Sequence, residues 1–109
     1  MAAGEQNTAQ LDALVTALVD ALHPRRIILF GSRARGDARE DSDVDLLVIA
    51  DTELPPDERS FRAHKAVRDL GLATDILVVT PGEVERLRTW MSSIVAVALR
   101  EGRTIHEAA

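Results

Sequence analysis

The 109-residue chain has no cysteine. Disulfides and thiolate metal sites are therefore excluded, and a reducing compartment fits without being required. Long apolar runs are also missing. The longest, 46–50 and 94–99, fall far short of the roughly twenty residues a membrane span needs. The first residues lack the basic start and apolar stretch of a secretory signal, so a cytoplasmic protein without membrane association is expected. The net charge of −5 argues against broad electrostatic binding of nucleic acid. Lysine is almost absent: Lys65 stands alone among thirteen basic residues. Three of the arginines, Arg33, Arg35 and Arg39, crowd one polar stretch, and arginine suits bidentate contact with phosphate or carboxylate.

Apolar residues make up 46% of the chain, enough for one packed core. No repeat, linker or low-complexity tract divides it, so a single domain over 1–109 is expected, ordered from about 8 to 105. Leu11, Leu14, Val15, Leu18, Val19 and Leu22 recur at the spacing of one helical face, giving a helix over 9–22 that Pro24 stops. A buried strand over 26–30 ends at Gly31, and a second covers 43–49. Pro55 and Pro56 open a helix to about residue 70, with Asp57 and Glu58 in its positive first turn and Gly71 after it. A third strand spans 74–79. Thr80-Pro81-Gly82-Glu83 has the form of a capping box leading into a helix, or a broken pair, over 83–101. Residues 103–106 form a weakly patterned candidate for a last strand. The order implies an α/β domain with helices packed on a small mixed sheet.

The chemistry concentrates between Gly31 and Leu47. Asp43 and Asp45 are two apart, so in a strand both carboxylates leave one face about 7 Å apart, while Val44, Leu46 and Val48 point the other way. Asp75 opens the next apolar strand in the same manner. Clustered carboxylates want a counterion, and hard oxygen donors suit Mg²⁺, with Mn²⁺ also accepted. A bare Asp-x-Asp is more often just a solvated strand edge, since the pattern is short. The turn Gly31-Ser32, eleven residues ahead of Asp43, alters that balance by offering backbone N–H groups and a hydroxyl to a phosphate.

The runs Gly31-Ser32-Arg33-Ala34-Arg35-Gly36 and Ser42-Asp43-Val44-Asp45-Leu46, followed by Asp75, resemble the DNA polymerase β superfamily, most closely the minimal nucleotidyltransferases of prokaryotes. The resemblance covers about three quarters of the chain, from 27 to 102. It implies a polymerase β-like nucleotidyltransferase core that moves AMP from ATP to an acceptor. Gly31, Ser32, Arg33 and Arg35 are then expected at the nucleotide. Asp43, Asp45 and Asp75 become the catalytic, metal-binding residues for two ions, Asp75 also drawing the proton from the acceptor hydroxyl. Arg33, Arg35 and Arg39 stay unranked as phosphate contacts. After residue 102 too few residues follow for an acceptor-binding domain, so the acceptor is expected in trans. The family implies an antitoxin acting on a HEPN-type toxin, in a hetero-oligomer, adding AMP to a partner hydroxyl. A nucleotidyltransferase serving a small molecule or nucleic acid with a helper subunit, and an antitoxin acting by binding alone, are the alternatives. His64 and Lys65 read as a solvated helix face, His106 as incidental, and Trp90 and Met91 as packed in the core or against a partner.

Overall fold

The computed structural model describes residues 3–39 and 42–109, with side chains from Thr8 onward. The first helix, α1, spans Ala3–Leu22. It starts earlier than its apolar stripe, which begins to bury residues only at Leu11. Leu14 and Leu18 are fully buried. The helix closes when His23 N–H donates to Val19 O, and His23 takes a left-handed φ of 47° just before Pro24.

Strand β1 is Arg26–Phe30, a single helical turn α2 is Ser32–Arg35, and β2 is Val44–Ile49. Helix α3 covers Pro56–Val67 and runs into a 3-10 turn at Arg68–Leu70. Strand β3 is Thr74–Val79. Next come helices α4, Pro81–Leu87, and α5, Ile94–Glu101, then β4, Arg103–Glu107. The sheet order is β3-β2-β1-β4, with β2 and β3 parallel and the other pairs antiparallel. This is the expected mixed α/β architecture, and the weak last strand is real.

Both faces of the sheet are covered, which is why β2 reads as a nearly continuous apolar run. Ile27, Leu29, Val44, Leu46, Val48, Ile76 and Val78 pack against Leu14 and Leu18 of α1 and Ala63 and Val67 of α3. The opposite parity, Ile28, Leu47, Ile49 and Val79, packs against Val95 and Ala98 of α5. At Gly102 an added Cβ would lie 2.6 Å from Ile28 Cγ2 and 2.6 Å from Ala98 O. A side chain there would push β4 off β1.

The last helical segment is broken, with a physical reason at each side of the break. The capping box forms: Glu83 N–H donates to Thr80 Oγ1 (3.2 Å) and Thr80 N–H to Glu83 Oε1 (2.8 Å). Ser93 then starts a new helix, its hydroxyl donating to Leu87 O (2.8 Å) while accepting from Ala96 N–H (3.0 Å). The intervening turn turns Trp90 and Met91 outward, 67% and 74% exposed. They do not fill the core. Helical spacing from Leu87 to Ile94 misled because no single helix joins them.

Candidate active site

The site is built where β1 ends and β2 and β3 begin. Antiparallel pairing sets Phe30 opposite Asp45, and the parallel ladder sets Asp45 opposite Asp75. Neighbouring strands are about 4.8 Å apart, so Asp45 and Asp75 stand side by side on the face shared with Leu47 and Val79. Asp43 lies just before β2, two residues ahead of Asp45, and is exposed. Val44 N–H donates to Ala73 O (2.9 Å), which aligns the starts of the two strands.

Gly31 has φ 76° and ψ −157°, a conformation that side-chain-bearing residues avoid. A Cβ built there would overlap Oδ2 of Asp45 and lie 3.1 Å from its Cγ. The glycine thus makes room for a carboxylate. Ser32 follows at the first position of α2, with no hydrogen bond to its hydroxyl among the described residues. The turn is held by Ala34 and Arg35 N–H groups donating to Gly31 O (both 3.1 Å) and by Gly36 N–H donating to Ser32 O (3.0 Å). Gly36 then leaves with φ 86°.

Burial pushes the Asp45 carboxyl above its ordinary value, the charges of Asp75 and Asp43 push it further, and Arg35 opposes them. The four side chains therefore share one electrostatic environment in which negative charge is in excess. Among the described residues, no three His, Cys, Asp or Glu side chains gather closely enough to enclose an ion. The donors are nevertheless all hard carboxylate oxygens, two of them adjacent on neighbouring strands. That set fits a divalent cation whose remaining shell comes from water and substrate phosphate.

The arginines separate. Arg33 donates from Nε (3.2 Å) and Nη2 (2.8 Å) to Ser42 O, tying α2 to the residue before Asp43. Arg35 forms a half-exposed ion pair with Asp37 (3.4 Å) and lies within electrostatic reach of Asp45. Arg39 is engaged through its backbone: its N–H donates to Ser42 Oγ (2.8 Å) and its carbonyl accepts from Ser42 N–H (3.0 Å). A turn that clasps Ser42 from two sides has no sequence signal beyond serine's general preference for such positions.

A cavity of about 170 Å³ lies behind this turn, lined by Gln10, Leu29, Arg33, Ala38, Val44 and Arg103 among others. Leu29 and Val44 belong to the opposite sheet face, so this cavity is not the carboxylate site.

A protein of Methanocaldococcus jannaschii provisionally named a protein adenylyltransferase is 55% identical over 82 residues, 75% of this chain and 78% of that protein. Another of the same provisional name and organism is 61% identical over 46 residues, 42% of this chain. The matched segment is 29% of that second relative's length, so the chain spans less than a third of it. A chain from the crystal structure of a toxin–antitoxin with AMP-PNP superposes with a TM-score of 0.65 at 24% identity, covering 89% of this chain and 73% of that one. The Nucleotidyltransferase domain family matches residues 11–103, which include every element that builds the site, and the chain belongs to that family.

Proposed function

We propose that the chain transfers AMP from ATP to a hydroxyl of a partner protein, serving as the antitoxin of a HEPN-type toxin–antitoxin pair. The observation that carries this reading is the side-by-side placement of Asp45 and Asp75, next to the Gly31-Ser32 turn. Family membership supports the reaction class. The provisional names of the relatives support a protein acceptor, and the toxin–antitoxin neighbour supports the partner.

Asp43, Asp45 and Asp75 would hold divalent ions, and bound Mg²⁺ supplies charge neutralisation for both the attacking and the leaving oxygens. The Ser32 hydroxyl donates to a phosphate oxygen of the triphosphate, and the positive-φ Gly31 keeps Cβ atoms away from that approach. Asp75, the exposed carboxylate of the adjacent pair, accepts the proton of the acceptor hydroxyl. Arg35, on the turn and within reach of Asp45, meets charge that develops on the departing pyrophosphate. Arg33 holds the turn rather than the nucleotide.

The test incubates the chain with Mg²⁺, a co-expressed HEPN-type partner, and ATP labelled at either the α- or the γ-phosphate. Label from the α-position alone should enter the partner, and Asp43→Asn/Asp45→Asn should abolish it. Transfer that survives the double substitution refutes the mechanism. Loss of the partner's toxicity with no label incorporated would instead establish neutralisation by contact.

A further inference from the structure

Helix α3 has one face that the core consumes and another that none of the described residues covers. Arg59, Ala63 and Val67, four apart, are buried. On the outward side Phe61 is 66% exposed. It stands among Arg62, His64, Lys65 and Arg68, all exposed. A groove of about 730 Å³ runs between the end of α1 and α3, lined by Ala21, Glu58, Phe61, Arg62, Lys65 and Ala66. A second hollow, of about 210 Å³, shares Phe61 and Lys65 and adds His64 and Arg68, so the two form one continuous surface.

Glu58 is the one carboxylate among the described residues that line this surface, and the basic side chains there outnumber it. Arg25, Arg35, Arg59, Arg88 and Arg100 each reach a carboxylate. Arg62, Lys65 and Arg68 enter no ion pair among the described residues. The chain's single lysine and two arginines are thus collected around a solvent-facing phenylalanine in a protein of net charge −5. Ala21 and Ala66 give the groove a shallow apolar floor on which an inserted side chain can rest.

We infer that this face is a docking site for an acidic, amphipathic helical segment of a partner protein. The groove between two helices receives an apolar anchor against Phe61, and carboxylates one turn apart on the segment meet Arg62, Lys65 and Arg68. Protein is favoured over nucleic acid because the net negative charge of the chain repels a polyanion, whereas a segment with a few carboxylates meets only the local field. The α3 helix packs on the sheet face opposite Asp45 and Asp75. A segment seated there would hold a partner without entering the carboxylate site, and the inference stands whether or not AMP transfer does.

The test selects helical peptides from a phage-displayed library against the intact chain and measures the winners by fluorescence anisotropy. Selected peptides should carry Asp or Glu at helical spacing beside a bulky apolar residue. Phe61→Ser and Arg62→Glu/Lys65→Glu should each weaken binding by about tenfold or more, as loss of a docking anchor does. Arg86→Glu, an exposed charge reversal on α4, should leave binding unchanged. Circular dichroism melts confirm that each variant folds, which is expected because every substituted side chain faces solvent. Selection without acidic enrichment, or binding indifferent to the α3 variants, overturns the inference. So does tighter binding of a single-stranded RNA oligonucleotide that the same variants abolish.

Discussion

Gly31 and Asp45 are so closely apposed across the β1–β2 ladder that a methyl group on the first would occupy the space of the second's carboxylate oxygen. The Gly31-Ser32 turn and the carboxylate strand are therefore not independent parts. Each limits what the other can be.

Replacing Gly31 by alanine adds a left-handed backbone strain to that overlap, and the cost is expected at about 1–3 kcal/mol. The urea midpoint should fall, and nucleotide transfer should fall with it because Asp45 must move. In Gly31→Ala/Asp45→Ala part of the stability should return, while activity should not. Equal stability losses in the single and double variants would disprove the steric account.

Asp45 carries a folded-state carboxyl raised by burial and by its acidic neighbours. A raised carboxylate means the folded form binds the proton more tightly than the unfolded form, so ionisation opposes folding. Without divalent ions, the penalty should be absent below the ordinary aspartate range, grow as pH rises through the raised value, and then level off. Asp45→Asn should raise Tm at neutral pH and flatten this dependence.

Divalent cation should reverse the penalty. At Mg²⁺ a hundredfold above its dissociation constant, the folded form gains about 2.7 kcal/mol if only that form binds the ion. Tm of the wild-type chain should therefore rise with Mg²⁺ and fall on chelation, whereas Asp43→Asn/Asp45→Asn should not respond. A response retained in the double variant places the ion elsewhere.

Arg33 and Arg35 are expected to fail differently. Arg33→Ala removes two donors from Ser42 O and should cost about 1–2 kcal/mol of stability. Arg35→Ala loses an exposed pair with Asp37, worth less than about 1 kcal/mol, yet should slow transfer by removing the proposed contact to the leaving group. Chemical denaturation and steady-state kinetics on both variants separate the roles. A stable, inactive Arg33→Ala would exchange them.

The ion pair between Arg59 and Glu83 (2.8 Å) joins α3 to the start of α4, and Arg59 is 8% exposed. Burial alone would raise the Glu83 carboxyl, but the Thr80 N–H and the Arg59 guanidinium outweigh it and hold the group below its usual value. A depressed carboxylate stabilises the fold above its unfolded-state pKa, and the contribution is lost as pH falls through the depressed value. Glu83→Gln should cost about 1–3 kcal/mol at neutral pH, because it leaves Arg59 without its counter-charge, and much less in acid.

Strand β1 at Arg26–Phe30, strand β3 at Thr74–Val79 and the capping box at Thr80 were legible residue by residue. Side-chain alternation, turn chemistry and caps act over a few residues, and the same short range made Gly31-Ser32 and Asp43-x-Asp45 visible as separate motifs. What lay outside local reach was settled by pairing and packing. Asp45 and Asp75, thirty residues apart in the chain, meet only through the register of β2 on β3. The carboxylate against Gly31, the Ser42 carbonyl that engages Arg33, and the solvent that surrounds Trp90 are likewise set by which elements come to lie together. A sequence specifies the tendency of each segment on its own, whereas a neighbour in space depends on how every other segment is placed.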